Sequence, residues 1–246
     1  MTRRAILVAL PTYNEALNIG RLLEDLRRVV PEAQLLVIDD GSPDGTGRVA
    51  TEAAERLGAV TVVQRGRKAG LGTAHVLAME RAIEEQFDVL VTMDCDYTHR
   101  PDDVPKLLAA LEAGAEFVVG SRYQHPHGIA DWPIWRRALT HTAHALTRTL
   151  LGLPFDATNA FRVYRVNALE RVPFRSIRGE GYSFMFEMVY ACRAAGLRMA
   201  QVPVELPIRQ AGESKISRVE VARAVRALGR LTVRRVRERG RGGNIQ

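Results

Sequence analysis

At 246 residues, with 46% hydrophobic and 26% charged side chains, the chain has the make-up of an ordinary globular protein with room for a sizeable core. Its apolar runs fall far short of the ~20 residues a membrane span needs, and two cysteines, Cys95 and Cys192, build no disulfide framework. The net charge of +7 lies at one end: residues 216–246 hold nine arginines against Glu220 and Glu238, so the remainder sums to zero. A neutral body with a cationic tail suits one anionic surface met at one end rather than a uniformly basic nucleic-acid binder.

In chain order, residues 5–10 read as a short buried strand, followed by Pro11-Thr12-Tyr13-Asn14-Glu15 and a helix over 15–30. Two arginines precede that strand, but a signal peptide needs a longer apolar region and a small-residue cleavage site, so the expectation is a cytoplasmic protein. A second strand at 35–38 runs into Asp39-Asp40-Gly41-Ser42-Pro43-Asp44-Gly45-Thr46 and a helix over 45–57. A third at 60–63 passes through a glycine-rich basic turn, residues 64–72, into a helix over 71–86. A fourth at 89–93 stops at Asp94-Cys95-Asp96; a helix over 102–113 and a strand at 117–119 follow. This alternation predicts an α/β fold, a Rossmann-like and mostly parallel sheet with helices on both faces, whose ligands meet the carboxyl ends of the strands.

The second half is less regular. Residues 131–151 predict an amphipathic helix with Trp132, Trp135, Leu139, Leu146 and Leu150 at three- and four-residue spacing. Residues 160–164 and 199–204 predict strands, and 181–195 a helix. From Val219 a basic helix carries Val221, Val225, Leu228 and Leu231 along one face. No linker interrupts the chain, so 1–215 reads as one domain and 216–246 as a basic amphipathic helix and tail.

Acids recur where three strands stop, so they can converge on one cleft. Ser42 and Asp44 serve equally well as helix caps. Asp94-x-Asp96 is sharper: carboxylates two apart in extended backbone point the same way and can share one hard cation. Mg²⁺ and Mn²⁺ take oxygen ligands and keep positions open for water and phosphate, which suits a diphosphate leaving group. The turn at 64–72 offers backbone N–H groups and cations to phosphate or is simply a solvated turn; it lacks the order of a P-loop. Arg122, Arg136, Arg209 and Lys215 add cations, and arginine's fork suits phosphate.

In order, PTYNE, DDGSPDGT, GLGTA, MDCD, GSRY, DATNAFRVYR and IRQAGESK run along residues 5–215. They resemble family-2 glycosyltransferases of the GT-A fold and, more narrowly, the polyprenyl-phosphate (dolichol-phosphate) mannose synthases. The resemblance implies inverting transfer of mannose from a nucleotide-sugar donor, GDP-mannose, to a polyprenyl-phosphate acceptor. It implies that Pro11, Tyr13, Glu15, Ile38 and Asp40 hold the nucleoside, while Asp94, Cys95 and Asp96 face the diphosphate and a Mg²⁺ or Mn²⁺ ion. Arg122, Arg209 and Lys215 would bind the phosphates, and Asp156 and Glu180 match recurrent positions without an assigned role. Three departures stand out: Cys95 replaces a small alanine, Thr98 takes the place of a glutamine metal ligand beside Asp96 and Asp94, and Thr158-Asn159-Ala160-Phe161-Arg162 replaces T-S-G-F-R.

Such a protein is expected on the cytoplasmic face of a membrane, peripheral, with its basic helix on an anionic surface; a membrane-anchoring partner protein is left open. No nucleic acid is expected as a partner. Three alternatives remain at this point: a UDP-sugar donor with the same acceptor, a basic nucleic-acid-binding protein, and a nucleotide sensor without turnover.

Overall fold

The computed structural model describes residues 5–179, 181–207 and 218–242. Seven apolar runs form one sheet: β1 (Ile6–Thr12), β2 (Gln34–Asp39), β3 (Val60–Gln64), β4 (Val89–Thr92), β5 (Phe117–Ser121), β6 (Arg162–Arg165) and β7 (Met199–Pro203). Helices α1 (Ala16–Val29), α2 (Thr46–Leu57) and α3 (Leu71–Glu84) follow the first three strands, and α4 (Val104–Glu112) follows β4 after a short 3₁₀ turn at Pro101–Asp103. Then come α5 (Ile134–Leu151), the one-turn α6 (Val166–Leu169), α7 (Tyr182–Ala194) and α8 (Arg218–Gly242). The strand order is β3-β2-β1-β4-β6-β5-β7, parallel except for β6.

Two features of that order position the site. The chain winds outward from β1 through β2 to β3, then returns to place β4 on the other side of β1. The reversal leaves a crevice beyond the carboxyl ends of β1, β2 and β4. Because β6 runs antiparallel between β4 and β5, pairing Thr92 and Val119 with Arg162, its amino-terminal end enters at the same edge. The segment from Asp156 to Phe161 is thereby delivered to the crevice.

Side chains alternate between the sheet faces, and each face has its own core. Leu7, Ala9, Leu36, Ile38, Leu90 and Phe117 pack with α3 and α7 on one side. Val8, Leu10, Val37, Val91, Val118 and Val163 pack with α1 and α4 on the other. Leu22, Leu23 and Leu26 of α1 are fully buried, each contributing about 2 kcal/mol of hydrophobic stabilisation.

Burial departs from the simplest sequence pattern in three places. β3 is an edge strand, only half buried, because one side has no neighbour. The apolar stripe predicted over 131–151 is not a core face. Trp132 is buried in the loop before α5, while Trp135, Leu139, Leu146 and Leu150 are exposed, because α5 packs beside α8 instead of on the sheet. Among the described residues of α8, Ala227 and Leu231 are buried, while Val221 and Val225 are exposed and share an apolar face with Leu228. Polar contacts help dock α8: Arg230 pairs with Glu187 of α7 at 2.8 Å, and Arg235 donates to the carbonyls of Leu150 at 2.8 Å and Thr149 at 3.3 Å, near the end of α5.

Candidate active site

The loops after β1 and β2 are built as one unit. The Ser42 hydroxyl, held by Asp39, accepts from the Asn14 N–H at 2.9 Å. Thr46 Oγ1 accepts from the Glu15 N–H at 2.8 Å, and Asp44 accepts from the N–H of Ala16 and of its own neighbour Thr46, each at 3.0 Å. One carboxylate therefore serves the starts of two helices. Burial raises the Asp44 pKa, but hydrogen bonds from the Thr46 side chain and the two amides outweigh it and hold the carboxyl below its ordinary value. Asp44 thus caps helix starts here, and Ser42 ties the two loops together.

Gly41 is required by geometry. Its φ is +71°, and an added Cβ would lie 2.9 Å from both Arg67 N and the Gly66 carbonyl carbon. Gly41→Ala is expected to destabilise the fold by more than about 1 kcal/mol, since strain and contact act together. Chemical denaturation checks this, and an unchanged midpoint would contradict it.

Asp40 binds protein groups through both oxygens: Arg65 engages Oδ1 and the Gly70 N–H donates to Oδ2 at 2.9 Å. Arg65 also donates to Thr73 Oγ1 at 2.6 Å and to the Gly70 carbonyl at 3.2 Å. The basic turn is accordingly anchored at Arg65 and Gly70 while Gly66, Arg67 and Lys68 stay exposed, and Lys68 Nζ projects over the Tyr13 ring at 4.3 Å. Glu15 is buried and accepts from Asn18 Nδ2 at 2.9 Å.

Asp94, Cys95 and Asp96 follow β4 directly. Asp96 is 1% exposed, and its Oδ1 accepts from the Thr98 N–H at 3.1 Å and the Thr98 hydroxyl at 2.5 Å. Thr98 therefore orients Asp96. Cys95 packs inward with Sγ 3.7 Å from the Pro11 carbonyl. His99 Nδ1 accepts from the Asp94 N–H at 2.8 Å. Asp94 and Asp96 with the Thr98 hydroxyl form an all-oxygen set, and among the described residues no group of three His, Cys, Asp or Glu closes a metal shell. That fits a hard cation such as Mg²⁺ or Mn²⁺, which takes its remaining ligands from water and phosphate.

These residues line one cleft of about 530 Å³, the size of a small-molecule site. Pro11, Tyr13, Glu15, Asp40, Asp94, Cys95, Asp96, Thr98 and Arg122 all border it. Ile38 does not: it is fully buried in the core beneath the cleft floor. Arg209, Lys215 and Glu180 lie outside the described residues. Asp156 is buried and accepts from Arg122 twice through Oδ2, from Nε at 2.7 Å and from the backbone N–H at 3.1 Å. Arg162 is fully buried and donates to the carbonyls of Asn159, Ala157 and Met185, fixing the segment before β6 against α7.

A model of the family described as "Glycosyl transferase family 2" matches residues 7–172, more than half of the chain. The chain belongs to that family. This glycosyltransferase is 36% identical over 239 residues to the polyprenol monophosphomannose synthase of Mycolicibacterium smegmatis, covering 96% of this chain and 90% of the relative. It is 37% identical over 221 residues to the undecaprenyl-phosphate mannosyltransferase of Micrococcus luteus, covering 89% and 90%. Among solved structures, the glucosyl-3-phosphoglycerate synthase of Mycobacterium tuberculosis in complex with Mn²⁺, UDP-glucose and phosphoglyceric acid shares the fold. Its TM-score is 0.66 at 21% identity, with 92% of this chain and 80% of that one covered.

Several residues of the glycosyltransferase's cleft carry no assigned role in the sequence, or, like Arg136, stand there only as a further cation. Arg136 lies over the Trp132 ring at 3.8 Å, and the Trp132 indole N–H donates to the Leu206 carbonyl at 2.8 Å. Both border the cleft, as do His99, Asn159 and Arg223 of α8. A histidine in the turn after the acid pair was a visible signal for His99. Nothing in the local sequence brings Arg223 or Asn159 to the acids: the sheet order brings Asn159, and the packing of α8 against α5 and α7 brings Arg223.

Proposed function

We propose that the enzyme transfers mannose from GDP-mannose, with inversion, onto the phosphate of a polyprenyl phosphate, giving polyprenyl-phosphate-mannose and GDP. The observation that carries this reading is a second, apolar groove that opens off the cleft. It has a volume of about 210 Å³ and lies between α5 and α8, lined by Leu139, Ala143, Leu146, Phe186, Val221 and Leu228. Arg122, Trp132, Arg136 and Thr158 border both spaces. An acidic cleft joined through two arginines to an apolar groove fits a donor diphosphate, an anionic head group and a hydrocarbon tail in that order. The names of the two curated relatives support the same acceptor class and the same sugar.

In this reading Tyr13 and Lys68 flank the nucleoside, and Asp94 and Asp96 would hold a divalent cation, which would supply charge to neutralise a departing diphosphate. Arg122 and Arg136 seat the acceptor phosphate; Arg209 and Lys215, assigned by motif, join them. An acceptor oxygen attacks the anomeric carbon as the bond from that carbon to the diphosphate oxygen breaks, and the electron pair leaves with GDP. The attack comes in line from the opposite face, so configuration inverts. Because a phosphate is already anionic near neutral pH, the site supplies position and charge rather than a proton acceptor. The test is incubation with Mn²⁺ or Mg²⁺, polyprenyl phosphate and a panel of GDP- and UDP-sugars. Mannolipid formed from GDP-mannose is expected; a product from a UDP-sugar alone would replace the donor, and none from any donor would end the reading.

The groove makes its own prediction. Val225→Asp, at the groove rim, places a charge where the tail would lie and is expected to raise KM for a long-chain acceptor by roughly tenfold or more, the cost of burying a charge against hydrocarbon. A short, water-soluble prenyl phosphate should be used as before. Equal effects on both acceptors would contradict the groove assignment.

The same two helices are the proposed contact with an anionic membrane at its cytoplasmic face. Among the described residues no helix is long and apolar enough to cross a membrane. Yet Ile134 and Trp135 are 83% and 63% exposed at the start of α5, and Val225, Val233 and Val236 are exposed along α8 among its arginines. Apolar side chains interleaved with cations suit the interface of an anionic bilayer. Reversing exposed Arg226 and Arg237 to Glu should weaken binding to anionic vesicles by about 2 kcal/mol or more, roughly thirtyfold, at about 1 kcal/mol per cation. Sedimentation with such vesicles measures it, and unchanged binding would exclude this surface.

A further inference from the structure

His99 and Asn159 border the cleft close to the acid pair, and the proposed transfer gives them no part. His99 is 2% exposed, and its ring stacks on Phe161 at 5.1 Å. A backbone N–H can only donate, so the bond from Asp94 N fixes His99 Nδ1 as an acceptor. The Nε2–H then donates to Asn159 Oδ1 at 2.8 Å. The asparagine amide is oriented independently: its Oδ1 also accepts from the Phe161 N–H at 3.3 Å, and its Nδ2 donates to the Gly120 carbonyl at 2.7 Å. The result is a single directed chain of hydrogen bonds, from the Asp94 amide through His99 and Asn159 to Gly120.

That chain spans three strand ends. Asp94 follows β4, Asn159 precedes β6, and Gly120 lies in β5 two residues before Arg122. Asp94 belongs to the donor side of the cleft and Arg122 to the side where the groove opens. We propose that His99 and Asn159 are positioning residues that lock the Asp94 main chain to the strand end carrying Arg122, holding the donor diphosphate and the acceptor phosphate at one separation. This rests on the proposed roles of Asp94 and Arg122. Both histidine nitrogens are committed to protein partners, so His99 acts through Asp94 and does not exchange a proton with substrate. A tie of this kind acts on the reacting geometry: a displacement of about 1 Å in a positioned pair costs on the order of a hundredfold in rate.

The test uses His99→Phe, which keeps the ring and its stacking; His99→Gln, whose amide can accept from Asp94 and donate to Asn159; Asn159→Leu; and the Phe/Leu double variant. Steady-state transfer is measured with donor and acceptor varied separately. Hydrogen exchange at the Asp94 amide is followed in the full protein without ligands, and melting temperature is the folding control. His99→Phe and Asn159→Leu should each lower kcat about 10- to 100-fold with both KM values within about threefold, as for lost orienting partners. The double variant should be no slower than the worse single, because either change breaks the same chain. His99→Gln should stay within about fivefold of the parent, since it can restore both bonds. Asn159→Leu, which removes no atom touching Asp94, should still speed exchange of the Asp94 amide.

Unchanged kcat in His99→Phe, unchanged Asp94 exchange in Asn159→Leu, or losses that add and follow the melting temperature would each overturn the proposal. A parent protein that makes no mannolipid would strike the transfer reading alone. The exchange measurement would then decide whether the lock exists.

Discussion

Asp96→Ala should stop transfer, lowering kcat by at least about a thousandfold, in a protein that still folds. Asp96 is nearly inaccessible yet borders the cleft, at the point where β4 ends beside the crevice between β1 and β4. Two bonds from Thr98 aim its carboxylate, so its position is set before any ligand arrives. Removing it deletes half of the oxygen pair and leaves both Thr98 donors without their acceptor, a cost of about 1–3 kcal/mol per buried polar group. That is a fraction of a normal folding free energy of 5–15 kcal/mol, so the loss of turnover should far exceed the loss of fold. Asp96→Asn refines the comparison. It keeps shape and one acceptor oxygen, and should restore stability while leaving turnover low, because an amide does not supply the anionic ligand. The measurements are steady-state transfer at a saturating concentration of the donor that the parent uses and thermal unfolding of the same samples. Turnover within tenfold of the parent would refute the role given to Asp96.

The part of the site legible in sequence is the part governed by short-range rules. Each acid cluster follows an apolar run, and alternation of strands and helices forces such clusters to one edge of a parallel sheet. Asp40, Asp94 and Asp96 could therefore be placed together before any coordinates. Ile38 was placed at the nucleoside by the resemblance and not by this logic; period two in the strand sends its side chain into the core, off the cleft lining. The stripe of Trp135, Leu139, Leu146 and Leu150 has helical spacing, but spacing says only that one face is apolar and not what covers it. The structure leaves that face beside α8 and solvent. Arg65 and Asn159 were not legible as site builders for a different reason. Arg65 acts by binding Asp40, 25 residues away, and Asn159 by binding His99 and Gly120, 60 and 39 residues away. Those pairings depend on the insertion of β6 and the path of the basic turn, which no local pattern records.

The pair of Arg122 and Asp156 should separate stability from catalysis. Asp156 is 0% exposed, and Arg122 is almost as buried while bordering both cleft and groove. Asp156→Ala leaves a guanidinium in a poorly solvated wall without its carboxylate, a loss expected at about 3–5 kcal/mol. For a chain of this size that lowers the melting temperature by roughly 10 °C. Transfer should fall as well, since the Arg122 main chain is also held by Asp156, through its own N–H at 3.1 Å. The decisive variant replaces both residues, Arg122→Met with Asp156→Leu. A buried ion pair exchanged for apolar side chains of similar volume is often neutral in stability, because two desolvation penalties disappear with the attraction. The double variant should therefore melt within a few degrees of the parent, about one kcal/mol. It should remain at least about a hundredfold slower in transfer, because no fork is left to meet the acceptor phosphate. If turnover returned together with stability, Arg122 would be a structural cation, and the acceptor phosphate would have to be seated by Arg136 and its neighbours instead.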